Sequence, residues 1–197
     1  MSRLLRTLAA LAVGLVLSAG LGELAVTWVV GEQVRFPRHV VAAPWGLRYN
    51  APGVDYGHHS PDVDVRFRIN AQGMRDDRDF AYAKPPGRQR ILSLGDSFTA
   101  GYEVEADETF SAVLERTLRD RGLDVEVLNA GVSGFSTAEA YLYLERELWR
   151  YAPDVVVVSF FGNDLVDNVR TGLFAVEDGR LVPKAQRYVP GGRLGDL

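Results

Sequence analysis

No cysteine occurs in the 197 residues, which excludes disulfides, thiolate metal centres and a cysteine nucleophile. Clustered basic residues are lacking too. Arg88-Gln89-Arg90 is too short to count as a run, and a net charge of -4 with a pI near 5.4 argues against the basic face of a nucleic-acid binder. Histidine is scarce and lopsided: the chain has 3, at positions 39, 58 and 59, so everything after residue 59 is without an imidazole. Several nucleotide and hydrolase motifs are also missing. Tyr102 follows Gly101 where a phosphate loop needs Lys, and Thr99 stands where the nucleophile elbow of the α/β-hydrolase fold needs Gly. No dinucleotide fingerprint, internal repeat or cofactor motif is present. Asp76, Asp77 and Asp79 lie close together but lack metal-ligand spacing.

The first thing present is grease. From Leu8 to Gly22 the chain is almost wholly apolar, and Leu24 to Val30 continues the run past Glu23. Arg3 and Arg6 precede it, an arrangement that favours the N-terminus inside, although Arg35 and Arg38 dilute the asymmetry. Small residues at Ser18-Ala19-Gly20 suit a cleavable signal peptide. The run nevertheless persists to Val30, long enough to cross about 30 Å of hydrocarbon as a helix. Residues 1–30 are therefore read as a membrane anchor, with a cleaved signal as the main alternative and a buried helix of a soluble protein as the least favoured. Either of the first two places the remainder outside the cytoplasm, facing the periplasm or cell exterior.

Residues 31–89 carry prolines at 37, 44, 52, 61, 85 and 86 and read as an irregular extension. One strand stands out, because Val63, Val65, Phe67 and Ile69 alternate with charged residues. Asn70 to Arg75 looks like a turn back, Arg75 to Asp79 like a solvated charged loop, and Lys84-Pro85-Pro86-Gly87 like a stiff linker.

From residue 90 the pattern becomes regular, in a domain read as 90–197 whose last stretch, Pro190 to Leu197, carries no packing pattern. Ile91 to Leu94 is a short apolar strand that breaks at Gly95-Asp96-Ser97. Phe110, Val113, Leu114 and Leu118 fall at helical spacing, with Asp107 or Thr109 able to cap them. Val125 to Leu128 forms a second strand, ending in Asn129-Ala130-Gly131-Val132-Ser133-Gly134. Ser136 and Glu139 then make a capping-box pair opening a helix with Tyr141, Leu144, Leu148 and Trp149. Asp154 to Phe161 is nearly all apolar, as in a strand buried on both faces, and runs into Gly162-Asn163-Asp164. Phe174–Val176 and Arg180–Val182 flank a hairpin turn at Glu177-Asp178-Gly179. Strand, helix, strand, helix, strand implies a parallel sheet, so the three polar loops share one edge, where ligands and catalytic groups collect.

Acyl transfer by serine needs a nucleophile, a base and donors aimed at the developing oxyanion. Ser97 is the candidate nucleophile. Its own N–H, the N–H of Gly134 and the side-chain amide of Asn163 are the candidate donors, each typically worth about 2.7–4 kcal/mol in the transition state.

Gly95-Asp96-Ser97, Asn129 through Gly134, and Gly162-Asn163-Asp164 together resemble the first three sequence blocks of the GDSL-like SGNH hydrolases. The likeness spans residues 62 to 182, and Asn70 to Asp76 looks like the upstream region of membrane-anchored bacterial members. It implies an α/β, three-layer flavodoxin-like parallel sheet, with Ser97 as nucleophile and Ser97, Gly134 and Asn163 as the oxyanion hole. Gly95, Asp96, Gly162 and Asp164 would support them. It implies no metal or cofactor, and a small acyl ester or acylated glycan as substrate.

The family's fourth block, Asp-x-x-His, supplies the base after the Asn block and is not found there; the expectation is a C-terminally incomplete domain. The one Asp-x-x-His, Asp55-Tyr56-Gly57-His58, precedes the nucleophile within the irregular extension. It and His59 are the alternative base, read against exposed loop histidines, with His39 a weaker candidate still. The leading expectation is an anchored esterase acting on acyl groups such as acetyl on envelope or exported polysaccharide. An O-acyltransferase using the same residues, and a non-catalytic anchored binding module, stand as alternatives.

Overall fold

Arg3–Val30 forms one helix, α1, almost wholly exposed along its length in the computed structural model. The structure describes residues 2–30, 39–60, 62–185 and 187; Arg35, Arg38 and the terminal stretch Pro190–Leu197 fall outside them. At 1.5 Å per residue α1 is about 42 Å long. Among the described residues it is the one helix long and apolar enough to cross a membrane, and a signal sequence has the same character.

Three parallel strands carry the core: β5 (Gln89–Leu94), β6 (Val125–Asn129) and β7 (Val155–Val158), in the order β6-β5-β7. The strand earliest in sequence is the middle one, with Leu92 opposite both Leu128 and Val156. Helix α2 (Ser97–Ala100) follows β5 directly, α3 (Phe110–Asp120) leads on to β6, and α4 (Thr137–Arg146) leads on to β7. The caps are those the sequence indicates. The Thr109 side chain accepts from the Ala112 N–H, and Ser136 and Glu139 form a reciprocal capping box. Beyond β7 lie α5 (Asp164–Thr171) and a hairpin of β8 (Phe174–Glu177) and β9 (Arg180–Pro183), closed by Asp178 and Gly179 at φ +49° and +73°. Positive φ at both central residues is the geometry of a type I′ turn.

The sheet core consists of Leu92, Leu94, Leu128, Val132, Phe135 and Tyr143, joined by Met74 and Phe80 from upstream. One expectation fails here. The apolar run 154–161 reads as a strand buried on both faces, yet Val155 and Val158 of β7 are each 51% exposed. β7 is an edge strand bonded only to β5 among the described residues, so its apolar side chains are covered from one direction. The helix expected through Trp149 also stops at Arg146, continuing as a 3-10 turn, and it buries Leu142 and Tyr143 rather than Tyr141 and Trp149.

The extension is more ordered than its prolines suggest. β1 (Val40–Ala42) pairs with β2 (Arg48–Asn50), and β3 (Asp55–His59) pairs with β4 (Asp64–Arg68), both antiparallel. Only β4 is legible by alternation, its Val65 and Phe67 inward and its Asp64 and Arg66 outward. β3 carries Asp, Gly and two His, residues with little strand preference of their own, and is held by its ladder to β4. Arg75, read as part of a solvated loop, is 1% exposed. Its guanidinium donates to the carbonyls of Arg66, Arg68 and Val104 and lies 4.2 Å from the centre of the Phe67 ring.

Candidate active site

Ser97 stands at the first position of α2, just beyond the carboxyl end of the middle strand. The break between strand and helix needs Gly95. Its φ is +155°, and an added Cβ would lie 2.2 Å from the Thr99 hydroxyl oxygen. Asp96 caps the helix by accepting a hydrogen bond from the Phe98 N–H at 2.9 Å. Its carboxyl is buried, and that burial raises its pKa above the ordinary aspartate value. The nearby Asp164 carboxylate adds to the rise, while the Phe98 amide opposes it.

The loop after β6 lies against this turn. The Val132 N–H donates to the Gly95 carbonyl at 3.1 Å, and the Asn129 side chain donates to the Thr99 carbonyl at 2.7 Å. From the other side, the Ser159 N–H donates to the Leu94 carbonyl at 2.8 Å, and the rings of Phe98 and Phe161 are 4.3 Å apart. The ends of all three strands thus meet at one edge, as the order of elements implies. Asn163 lies past the end of β7 at the start of α5, exposed, its side-chain amide donating to the Asp167 carboxylate at 2.8 Å. Asp164 is buried and accepts from the Phe161 N–H at 2.8 Å, closing the turn around Gly162.

A cavity of about 550 Å³ opens beside Ser97, lined also by Phe98, Gly101 to Val104, Glu108 to Phe110, and His58. Gly134 and Asn163 are not among its described lining residues. Of the candidate site residues named from the sequence, the cavity brings together Ser97 and His58. His58 is not an exposed loop residue: it sits opposite Val65 in the β3–β4 ladder, 3% exposed. Its Nδ1 lies 3.3 Å from the Tyr102 hydroxyl. His59, one step along, points outward and pairs with Asp64 at 2.6 Å.

Asp55 and His58 do not form an acid–base pair. Residues three apart on a strand face opposite ways, and the Asp55 carboxylate is taken by Arg66 at 2.7 Å. The Arg66 hydrogen bond, with help from Arg68, holds Asp55 at about 2. His39 is not an exposed loop residue either. It is buried, its Nδ1 3.0 Å from the Tyr56 hydroxyl and its ring 4.6 Å from that of Phe67. Among the described residues no group of His, Asp or Glu is arranged to hold a metal ion.

Residues 93–194 match the model of the GDSL-like lipase/acylhydrolase family. An arylesterase of Vibrio mimicus is 33% identical over 76 residues, 39% of this chain and 38% of that protein. Esterase TesA of Pseudomonas aeruginosa is 34% identical over a stretch of the same length. The chain therefore spans about two-fifths of the length of the curated relatives it matches. Among solved structures, the SGNH-hydrolase family esterase AlinE4 is 34% identical, with a TM-score of 0.38, over 43% of this chain and 46% of that one. The crystal structure of TesA is 32% identical, with a TM-score of 0.38, over 41% of this chain and 44% of that one.

Proposed function

Because the chain belongs to the GDSL-like lipase/acylhydrolase family, we propose that it is a serine esterase whose nucleophile is Ser97. The observation that carries this reading is the position of Ser97, at the carboxyl end of the middle strand of a parallel sheet and on the wall of a cavity of about 550 Å³. Ser97 Oγ attacks the ester carbonyl, forming a tetrahedral centre whose oxyanion is held by the N–H groups of Ser97 and Gly134 and the amide of Asn163. The alcohol leaves with a proton, and water releases the acid from the acyl-serine. Asn163 has two amide protons, and the bond to Asp167 occupies one. His58 shares the cavity with Ser97 and is the candidate within the described residues for accepting the serine proton.

The relatives' names, arylesterase and esterase, agree with acyl-ester substrates. An apolar N-terminal helix supports an extracytoplasmic site, where acetyl esters of envelope or exported carbohydrate are the natural class.

The test treats the 197-residue chain, in lipid nanodiscs, with a fluorophosphonate and with 4-nitrophenyl acetate. Covalent label on Ser97 and ester turnover are expected, both abolished in Ser97→Ala. A wild-type chain that neither labels nor turns over the ester would reject the reading. In the same assay, a rate unchanged by His58→Ala would remove His58 from the proton role.

A further inference from the structure

We propose that Arg48 is a positioning residue for Gly134, so that the segment before the family-matched core is a working part of the site; this rests on the esterase reading above. Gly134 has φ +75°, a conformation side-chain-bearing residues rarely adopt, and without a Cβ its flanking peptides rotate easily. A donor that must point at one place in the transition state needs that freedom removed in advance.

Arg48 removes it. Its Nη2 donates to the Gly134 carbonyl, while Nε and Nη2 fork onto the two Glu139 oxygens at 2.9 and 3.0 Å. The Glu139 side chain is fully buried and also accepts from the Ser136 N–H at 3.0 Å, so the capping box of α4 fixes the carboxylate on which the guanidinium rests. A planar fork held at both ends cannot swing away from the carbonyl as a single point charge would.

The clasp on Gly134 is one of three along this loop. The buried Asn50 side chain donates to the Gly131 carbonyl at 2.9 Å, and the Arg75 N–H donates to the Asn129 carbonyl at 2.9 Å. The carbonyls of residues 129, 131 and 134 are thus all held by the extension. Among the described residues none accepts a hydrogen bond from the Gly134 N–H. A loop clamped by its carbonyls, with that amide left open, has the form an oxyanion donor requires.

Removing Arg48 alone would leave the Glu139 carboxylate buried without its countercharge, which by itself threatens folding. The test therefore pairs Arg48→Met with Glu139→Gln, which removes that charge and keeps an acceptor for Ser136. In the ¹⁵N-glycine-labelled chain in detergent micelles, the Gly134 amide signal is expected to shift or broaden while that of Gly122, at the far end of α3, stays in place. With 4-nitrophenyl acetate, kcat is expected to fall between about 10- and 100-fold with KM within about twofold, short of the ~10²–10³ typical of losing a donor outright. A folded double variant whose Gly134 signal is unmoved, or whose kcat is unchanged, overturns the proposal. If the wild-type chain is inert, the esterase reading fails by itself, and the Gly134 signal still judges the clasp.

Discussion

Leu92 on the middle strand and Arg75 on the turn before the core are buried to almost the same degree, and for opposite reasons. Leu92 sits between Leu128 and Val156, where its side chain contributes through removal from water and close packing. Arg75 is a desolvated cation, its pKa lowered chiefly by burial, and it is retained because three carbonyls from two segments need its donors. The extension repeats this device. Arg48 grips Glu139, and Arg78 reaches across to Glu115 at 2.7 Å, while Met74 and Phe80 plug into the apolar core. The lesson is that the sheet is held by area and the extension by a few directional bonds. Damage to the first should be graded by burial, and damage to the second should follow individual donors.

The largest effect should separate two strands of one sheet. Leu92→Ala is expected to destabilise by about 2–5 kcal/mol through lost burial and an unfilled cavity, whereas Val158→Ala, half-exposed on the edge strand, should cost less than about 1 kcal/mol. Urea denaturation of both variants measures the difference, and equal losses would mean that β7 is covered by more than β5.

Next comes the extension. Arg75→Met keeps much of the side-chain volume but strands the carbonyls of Arg66, Arg68 and Val104, with an expected loss of about 2–3 kcal/mol. Because Val104 lines the cavity, the KM for 4-nitrophenyl acetate should rise as well. Unchanged stability would show that apolar plugs alone seat the extension.

The smallest effect is a titration. Asp55 is held at about 2, below its ordinary 3.8, by the Arg66 hydrogen bond. A carboxylate with a depressed pKa stabilises the fold above the ordinary value, and that contribution is lost as pH falls through the folded one. Here the window runs from pH 3.8 down to about 2. Carboxyl ¹³C NMR should give a midpoint near 2 that returns toward 3.8 in Arg66→Gln. A wild-type midpoint already near 3.8 would leave the Arg66 bond without effect in solution.

Much of the core was legible because its signals are local. Four-residue caps at Thr109 and Ser136, the apolar run before Gly95 and the Asp178-Gly179 turn each occupy a few neighbouring positions. The extension was not. Its prolines and glycines suggested irregularity, and nothing near Asp55 announces a strand, since β3 exists through its pairing with β4. Asn70 through Arg75 did signal a turn, but the burial of Arg75 depends on Val104, 29 positions away. The contacts of Tyr102 and Arg48 were not legible for the same reason, their partners being 44 and 86 positions distant.

The sequence by itself determined the alternation of strand and helix and, with it, the placement of Ser97, Gly134 and Asn163 at one edge of a parallel sheet, because periodicity and capping act within a turn or two of chain. Tertiary structure alone decided that His58 faces inward to the Ser97 cavity while Asp55 faces solvent, that β7 pairs with β5 alone among the described residues, and that Arg48 reaches Gly134. Those outcomes depend on which distant segments pair, and pairing is a property of the assembled surfaces rather than of any short stretch of residues.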